Sequence, residues 1–392
     1  MRKIDLTDFR PATSETARQI NRRIALNFIR LYQPMSRADL ARRSGLQRST
    51  ISSIIDQLID EGWVTEGAIG RSPRGRRPRN LHLNVERAGI VGVELRPELT
   101  TVGLAGIDAR FMGQVQFATA ATPERFVRDL AAATCELRRA HPRVLCEGMG
   151  ISLPGRVDKD GNLVFAPNLG WQPAAITRMI EEAVGLTVNV ENAANACALA
   201  ELWFGRHPEQ VKNIVAVTVS EGVGVGLLLN GQLVHGANSM AGEFGHVSLA
   251  DDGPACRCGR RGCWERYASN SAALQYYAAI GGASPSPRFE DLPRLAARGD
   301  VRAAETLDRM ARYLGVGLSN LAVGLDPDVI VIVGEVTTAW SRIGPIVEDI
   351  LRTRALAPPM TRLVPTDSAA QPRLRGAVTL VVQQHFGAPA VA

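Results

Sequence analysis

Near residue 85 the sequence changes character, and that break constrains the fold more than any other feature. Before it, apolar residues recur at helical spacing: Ile20, Ile24, Phe28 and Leu31 in one segment, then Ile51, Ile54, Ile55, Leu58 and Ile59 in another. After it come short apolar runs, among them AGIVGVELRPELTTVGLAGID, NIVAVTVSEGVGVGLLL and VIVIVG, separated by helical stretches. Strands alternating with helices imply an α/β body with mainly parallel sheet, in two lobes. A chain of 392 residues has room for two or three domains. The texture divides it into a head at 1–84, a first lobe at 85–203 and a second lobe at 204–392.

Charge follows the same division. The whole chain carries +6, but residues 1–84 hold sixteen Lys or Arg against eight Asp or Glu, a surplus of eight. The other 308 residues are therefore slightly acidic, at −2. A basic head on an acidic body points to a polyanion as the partner of the head. The bland alternative is a solvated basic face. No run of about 18 apolar residues offers a membrane span. The opening MRKIDLTDFRPATSETARQ lacks the apolar core of a signal peptide. A cytoplasmic protein with reduced thiols is the expectation.

The head has the pattern of a winged helix-turn-helix. A helix over 16–33 is ended by Pro34. Ser36 and Asp39 then form a capping-box start for RADLARRS, and Gly45 supplies a turn. The next helix presents Gln47, Arg48, Ser49, Thr50, Ser52 and Ser53 at its start and an isoleucine-rich face behind them. Such a pair places its second helix in the DNA major groove, where polar side chains reach bases and phosphates. WVTEGAIGRSPRGRRPRNLHLN reads as strand, loop and strand, with Arg71, Arg74, Arg76, Arg77 and Arg79 in or beside the loop. An extended Gly-Arg-Arg-Pro segment suits the negative minor groove. The expected DNA contacts are Arg37, Gln47, Arg48, Ser49, Thr50, Ser53, Arg74, Arg76 and Arg77. The rivals are an ordinary helical bundle and a flexible basic linker.

Three of the six cysteines, Cys256, Cys258 and Cys263, fall within eight positions of ACRCGRRGCWERY. A disulfide, a metal site and a redox switch are the candidates, and a reducing compartment disfavours the first. His246, ten residues earlier, would complete a tetrahedral Cys3His site for Zn²⁺, closed and therefore structural. Cys135, Cys146 and Cys197 read as buried small hydrophobes.

The segments ISLPGRVD, APNLGW, ENAANACALAE, AGEFGH and CRCGRRGCWERYAS together resemble the ROK family of repressors and sugar kinases, over nearly the whole length. The resemblance implies an actin-like, two-lobed ATPase architecture behind a winged helix-turn-helix. It implies structural zinc on His246, Cys256, Cys258 and Cys263. It implies a monosaccharide held by Gly155, Asn168, Asn192, Glu243, His246 and Glu265, and a homodimer or higher homo-oligomer on an operator.

The sequence departs from the family's kinases. Their Asn-Asp-Ala-Asn run supplies the aspartate that deprotonates the sugar. Here the run is Asn192-Ala193-Ala194-Asn195, and a methyl group accepts no proton. The first phosphate loop is Glu94-Leu95-Arg96-Pro97-Glu98, where Pro97 lacks an N–H and the carboxylates repel anions. The second is Ser220-Glu221-Gly222. The expectation is a sugar-responsive repressor without catalysis. The alternative is an ATP-dependent sugar kinase with a fused DNA-binding domain.

Overall fold

The computed structural model describes residues 14–69, 79–85, 88–208, 210–281, 287–356 and 361–387. The head consists of α1 (Ser14–Tyr32), β1 (Met35–Ser36), α2 (Arg37–Ser44), α3 (Arg48–Asp60), β2 (Val64–Ile69) and β3 (Arg79–Leu83). Its start signals work as expected. Ser36 accepts from the Asp39 amide, and the Asp39 side chain accepts from Ser36, which closes the capping box. A cap of this kind is worth about 1 kcal/mol. Gly45, at φ 72°, ends α2 in the left-handed region. Ile51, Ile54, Ile55 and Leu58 of α3 pack on Leu26 and Ile29 of α1 and Leu40 of α2, all buried. β2 and β3 pair antiparallel, with β1 on the other edge of β3.

The body repeats one topology twice. The first lobe runs β4 (Ala88–Leu95), β5 (Leu99–Gly106), β6 (Phe111–Ala118), α4 (Pro123–Ala140), β7 (Leu145–Leu153), the small hairpin β8 (Arg156–Val157) and β9 (Leu163–Phe165), α5 (Ile176–Val184), β10 (Val188–Asn192) and α6 (Ala193–Phe204). The second runs β11 (Ile214–Val219), β12 (Val223–Leu229), β13 (Gln232–Leu233), α7 (Glu265–Ala268), α8 (Asn270–Ala279), α9 (Asp291–Ala297), α10 (Val301–Leu325), β14 (Val329–Val333), α11 (Trp340–Arg354), β15 (Arg362–Pro365) and α12 (Pro372–Phe386). The sheet orders are β10-β7-β4-β5-β6 and β15-β14-β11-β12-β13, so corresponding strands hold corresponding places.

Two expectations are corrected. Neither sheet is mainly parallel. Each joins three parallel strands to an antiparallel meander, because β4–β6 and β11–β13 are linked by turns too short for a crossover. The segment after residue 372 also does not stay with the second lobe. Helix α12 lies on the first sheet, where Gly150 has no room for a Cβ beneath the Ala377 carbonyl. Helix α6 makes the reciprocal crossing, burying Cys197, Ala198 and Leu199 against Ile214, Ala216 and Val331 of the second sheet. The two helices pack together between the sheets, and the cleft opens at their N-terminal ends.

The far end of α12 reaches the head. Val378, Val381, Val382 and Phe386 share one buried cluster with the isoleucines of α3 and with Trp63. Arg23 and Asn27 of α1 donate to the carbonyls of Gly387 and Phe386.

Candidate functional site

In the head, Gln47, Arg48, Ser49 and Ser53 are exposed and Thr50 is half-buried, all on the N-terminal turns of α3. The free amides of that terminus add to their suitability for phosphate. Arg37 is differently placed. Its guanidinium pairs with Asp56 at 2.7 Å and Glu66 at 2.9 Å, and Glu66 also holds Arg79 at 3.2 Å. These carboxylates fasten α2 to α3 and to the wing, so Arg37 is committed inside the head instead of free for DNA. Arg74, Arg76 and Arg77 lie outside the described residues.

The cleft is built around the start of α6. Asn192 caps that helix, its Oδ1 accepting from the amides of Ala194 at 2.8 Å and Asn195 at 3.4 Å. Its Nδ2 donates to the Gly155 carbonyl at 2.8 Å, which ties the β7–β8 bend to the helix. Ala193 lines a cavity of about 120 Å³ together with Gly155, Asn168, Asn192, Glu243, His246 and Glu265. The six expected sugar contacts therefore converge, from both lobes. Glu191 is not available as a substitute base. Its Oε1 accepts from Asn195 at 3.0 Å and its Oε2 lies 2.8 Å from His235 Nε2, a partner nothing in the sequence signalled. Burial raises the Glu243 carboxyl above its usual range, against the pull of His246 and Arg156.

A loop between β13 and α7 supports the second-lobe wall. Glu243–His246 forms a single 3-10 turn. One nitrogen from His246 and the sulfurs of Cys256, Cys258 and Cys263 all lie within 4.8 Å of one another. The Cys258–Cys263 sulfurs are 3.6 Å apart, as are Cys256 Sγ and His246 Nδ1. The edge of a tetrahedron with bonds of ~2.3 Å is about 3.8 Å, so the cluster could hold a small, thiophilic ion. His246 turns its other nitrogen, Nε2, to Glu243 at 3.7 Å. Glu265 accepts from the Cys256 thiol at 2.9 Å. The loop is pinned by Trp264, whose indole is buried on α10, where Gly317 leaves space for the ring. Its N–H donates to the Tyr313 carbonyl at 2.9 Å. Asn168 reaches the same loop, accepting from Arg257 at 3.0 Å. The other three cysteines are not alike: Cys197 is buried, Cys146 half-buried and Cys135 exposed, which corrects the expectation of three buried thiols.

The ROK family profile matches residues 90–384, and a MarR family profile matches residues 21–78. The chain belongs to the ROK family. It is 32% identical to the xylose repressor of Bacillus subtilis over 80% of this chain and 82% of that one. It is 29% identical to the N-acetylglucosamine repressor of Escherichia coli over 87% of each chain. Among solved structures, a ROK family transcriptional regulator homologous to the E. coli MLC protein superposes over 95% of this chain and 97% of its own, with TM-score 0.82 and 25% identity. A ROK family glucokinase from Streptomyces griseus, in complex with glucose and AMPPNP, covers 74% of this chain and 98% of its own, with TM-score 0.67 and 28% identity. The head is thus a winged helix-turn-helix and the body an actin-like, sugar-kinase-like fold.

In this ROK chain the expected phosphate loops are occupied by their own side chains. Arg96, just past β4, pairs with Glu221 at 3.1 Å and with Glu335 at 2.8 Å, both from the second lobe. Arg373, at the first turn of α12, lies 3.8 Å from Glu94. The Arg96 amide donates to the Leu99 carbonyl, and the Ser220 amide to that of Gly222. Sequence reasoning named Glu94, Arg96 and Glu221 but neither Glu335 nor Arg373 nor the pairing itself, because the partners lie on distant segments. Among the described residues, no helix is long and apolar enough to cross a membrane.

Proposed function

We propose that this chain is a sugar-responsive transcriptional repressor, with its head on operator DNA and a monosaccharide in the cleft. One observation carries the reading. The six residues expected to hold a sugar line a single cavity, and Ala193 lines it where the family resemblance would place the catalytic base. The chain keeps the means to hold a sugar and lacks the means to deprotonate one. The named repressors among its relatives support the same choice over phosphoryl transfer.

Glu243, His246 and Glu265 take hydroxyls from the second-lobe side, and Gly155, Asn168 and Asn192 from the first. Zn²⁺ on His246, Cys256, Cys258 and Cys263 would order the loop that carries Glu243 and Glu265, in a closed structural site. His246 would ligate through Nδ1 and offer Nε2 to the cleft. Sugar favours one relative setting of the lobes, and only a difference in affinity between settings can shift the head. Helix α12 is the physical connection, since it touches the cleft at Arg373 and the head at Phe386. We assign residues 1–84 to the DNA-binding unit and divide the body at 203/204, with α12 as the returning element. Two heads in a homodimer would read an approximately palindromic operator.

The test pairs calorimetry on a monosaccharide panel with operator-binding titrations, with and without the sugar that binds. A sugar that binds and changes operator affinity is the expected result. Sugar-dependent ATP hydrolysis that Asn192→Ala abolishes would replace this reading with the kinase.

A further inference from the structure

Resting on the effector reading of the cleft, we propose that the Arg96 bridge to Glu221 and Glu335 fills the subsite beyond the sugar and makes the effector a neutral, unphosphorylated monosaccharide. The bridge and the sugar-facing groups line one cavity: Arg96, Glu221 and Arg373 share its wall with Asn168, Glu243 and Glu265. Ala193 lines the same cavity, so an ester phosphate on a hydroxyl turned toward it would share that space with the bridge.

Arg96 has no charge to spare. Nη1 is held by Glu335 at 2.8 Å and Nη2 by Glu221 at 3.1 Å. Burial alone would raise the Glu221 carboxyl, but the Arg96 guanidinium together with hydrogen bonds from its own backbone and Ser220 brings it below its usual range, hence ionised at neutral pH. Three carboxyls, Glu94, Glu221 and Glu335, stand against two guanidiniums, Arg96 and Arg373. Burial raises Glu94, which lessens its charge without making the cluster cationic. A phosphate would have to displace the exposed Glu221, or displace Glu335 and leave that half-buried carboxylate without its partner, a costly exchange. Backbone donors do not compensate. Pro97 has none, and the amides of Arg96 and Ser220 are spent in their own turns. The feature on the other side is Arg373, buried with Nη2 lacking a hydrogen-bond partner. Arg156 also lines the cavity, but one of its nitrogens is held by the Asn238 carbonyl and its charge faces Glu243; Arg373, with Glu94 at its neighbouring nitrogen, does not by itself balance Glu221 and Glu335.

The bridge also joins the lobes. Arg96 leaves the end of β4 in the first lobe, Glu221 lies in the β11–β12 turn and Glu335 follows β14 in the second. The similar glucokinase is solved with glucose and AMPPNP; here a link between the lobes is made by the chain's own side chains. The cleft can therefore be held across the lobes without ATP.

The experiment is calorimetry on the full chain with D-xylose, D-glucose, N-acetyl-D-glucosamine and the 6-phosphates of the last two. In the natural protein, the neutral sugar that binds should exceed its phosphate by at least about 100-fold, because the ester would have to part Glu221 or Glu335 from Arg96. Glu221→Gln combined with Glu335→Gln should narrow that gap by about tenfold or more, with folding checked by circular dichroism. A phosphate ester that binds as tightly as its parent sugar overturns the proposal, and that comparison needs no variant. An unchanged gap in the double variant overturns the assignment to the bridge. If no sugar binds in either form, the effector reading falls as well, which is a different and recognisable result.

Discussion

The indole of Trp63 lies 4.7 Å from the imidazole of His385, centroid to centroid. Trp63 follows α3 in the head, and His385 is in the last turn of α12. Twelve residues of helix, about 18 Å, separate that contact from Arg373 in the cleft. Trp63 is 6% exposed and also meets Phe386 edge-on at 6.1 Å. Trp63→Ala should therefore cost about 3–5 kcal/mol, as large-to-small core changes do. In differential scanning calorimetry the head should melt separately, below the body. A single transition with an unchanged midpoint would mean that the contact carries no stability.

His385 gives this contact a pH dependence. Burial lowers its affinity for a proton below the usual value of about 6.5, and Arg22 and Arg23 lower it further. The folded chain thus prefers neutral His385. Above the ordinary value both states are neutral and nothing is lost. As pH falls below it, the unfolded chain binds the proton first, so stability declines until the lowered folded value is reached. His235 has the opposite sign. The hydrogen bond to Glu191 raises it, so its contribution is present below the ordinary value and fades as pH rises through the raised one. Melting temperatures from pH 5 to 8 should show His385→Gln flattening the acid side alone.

The sequence made some of this legible and hid the rest for a physical reason. The Ser36–Asp39 box, the Gly45 cap and the buried face of α3 are local, so spacing alone revealed them. The cysteine loop was legible because its donors sit within eighteen positions and few chemistries need that set. Arg96 and Glu335 are far apart in sequence, as are Trp63 and His385, and no periodicity reports such pairs. The crossing of α12 to the first sheet was invisible for the same reason. The pairing of Arg37 was hidden because a basic residue at a helix start looks free until Asp56 and Glu66 are placed beside it.

That placement separates two arginines of the head. Arg48 is exposed on the first turn of α3, whereas Arg37 is bound to two carboxylates. Arg48→Ala should weaken operator binding and reduce the salt slope by about 1, the loss of one phosphate contact. Arg37→Ala should leave the slope unchanged and lower the head's stability by about 1 kcal/mol, since the pairs are partly exposed. Fluorescence anisotropy across a salt series, with thermal melts of each variant, distinguishes the two. A reduced slope for Arg37→Ala would return it to the DNA surface.

The cysteine loop offers the last prediction. Between the 3-10 turn at Glu243 and helix α7 the chain forms no regular helix and only isolated bridges, Ser248 with Cys263 and Ala255 with Arg261. Trp264 anchors one end of it in the core, but the segment from Ser248 to Gly262 is held chiefly by turns and by the four clustered donors. A metal on those donors contributes its binding free energy to ordering the loop. The protein should carry one zinc per chain, lost in Cys258→Ser and in Cys263→Ser. Removing it with a chelator should weaken sugar binding by about tenfold or more, within the range that loss of a supporting shell produces. Glu243 and Glu265 flank the loop, and their spacing across the cleft would no longer be fixed. Operator affinity without sugar should change little, because the head packs on α12 and not on this loop. Elemental analysis fixes the stoichiometry, and calorimetry before and after chelation and zinc repletion measures the coupling. Full sugar affinity in zinc-free protein would show that the loop holds its carboxylates without a metal.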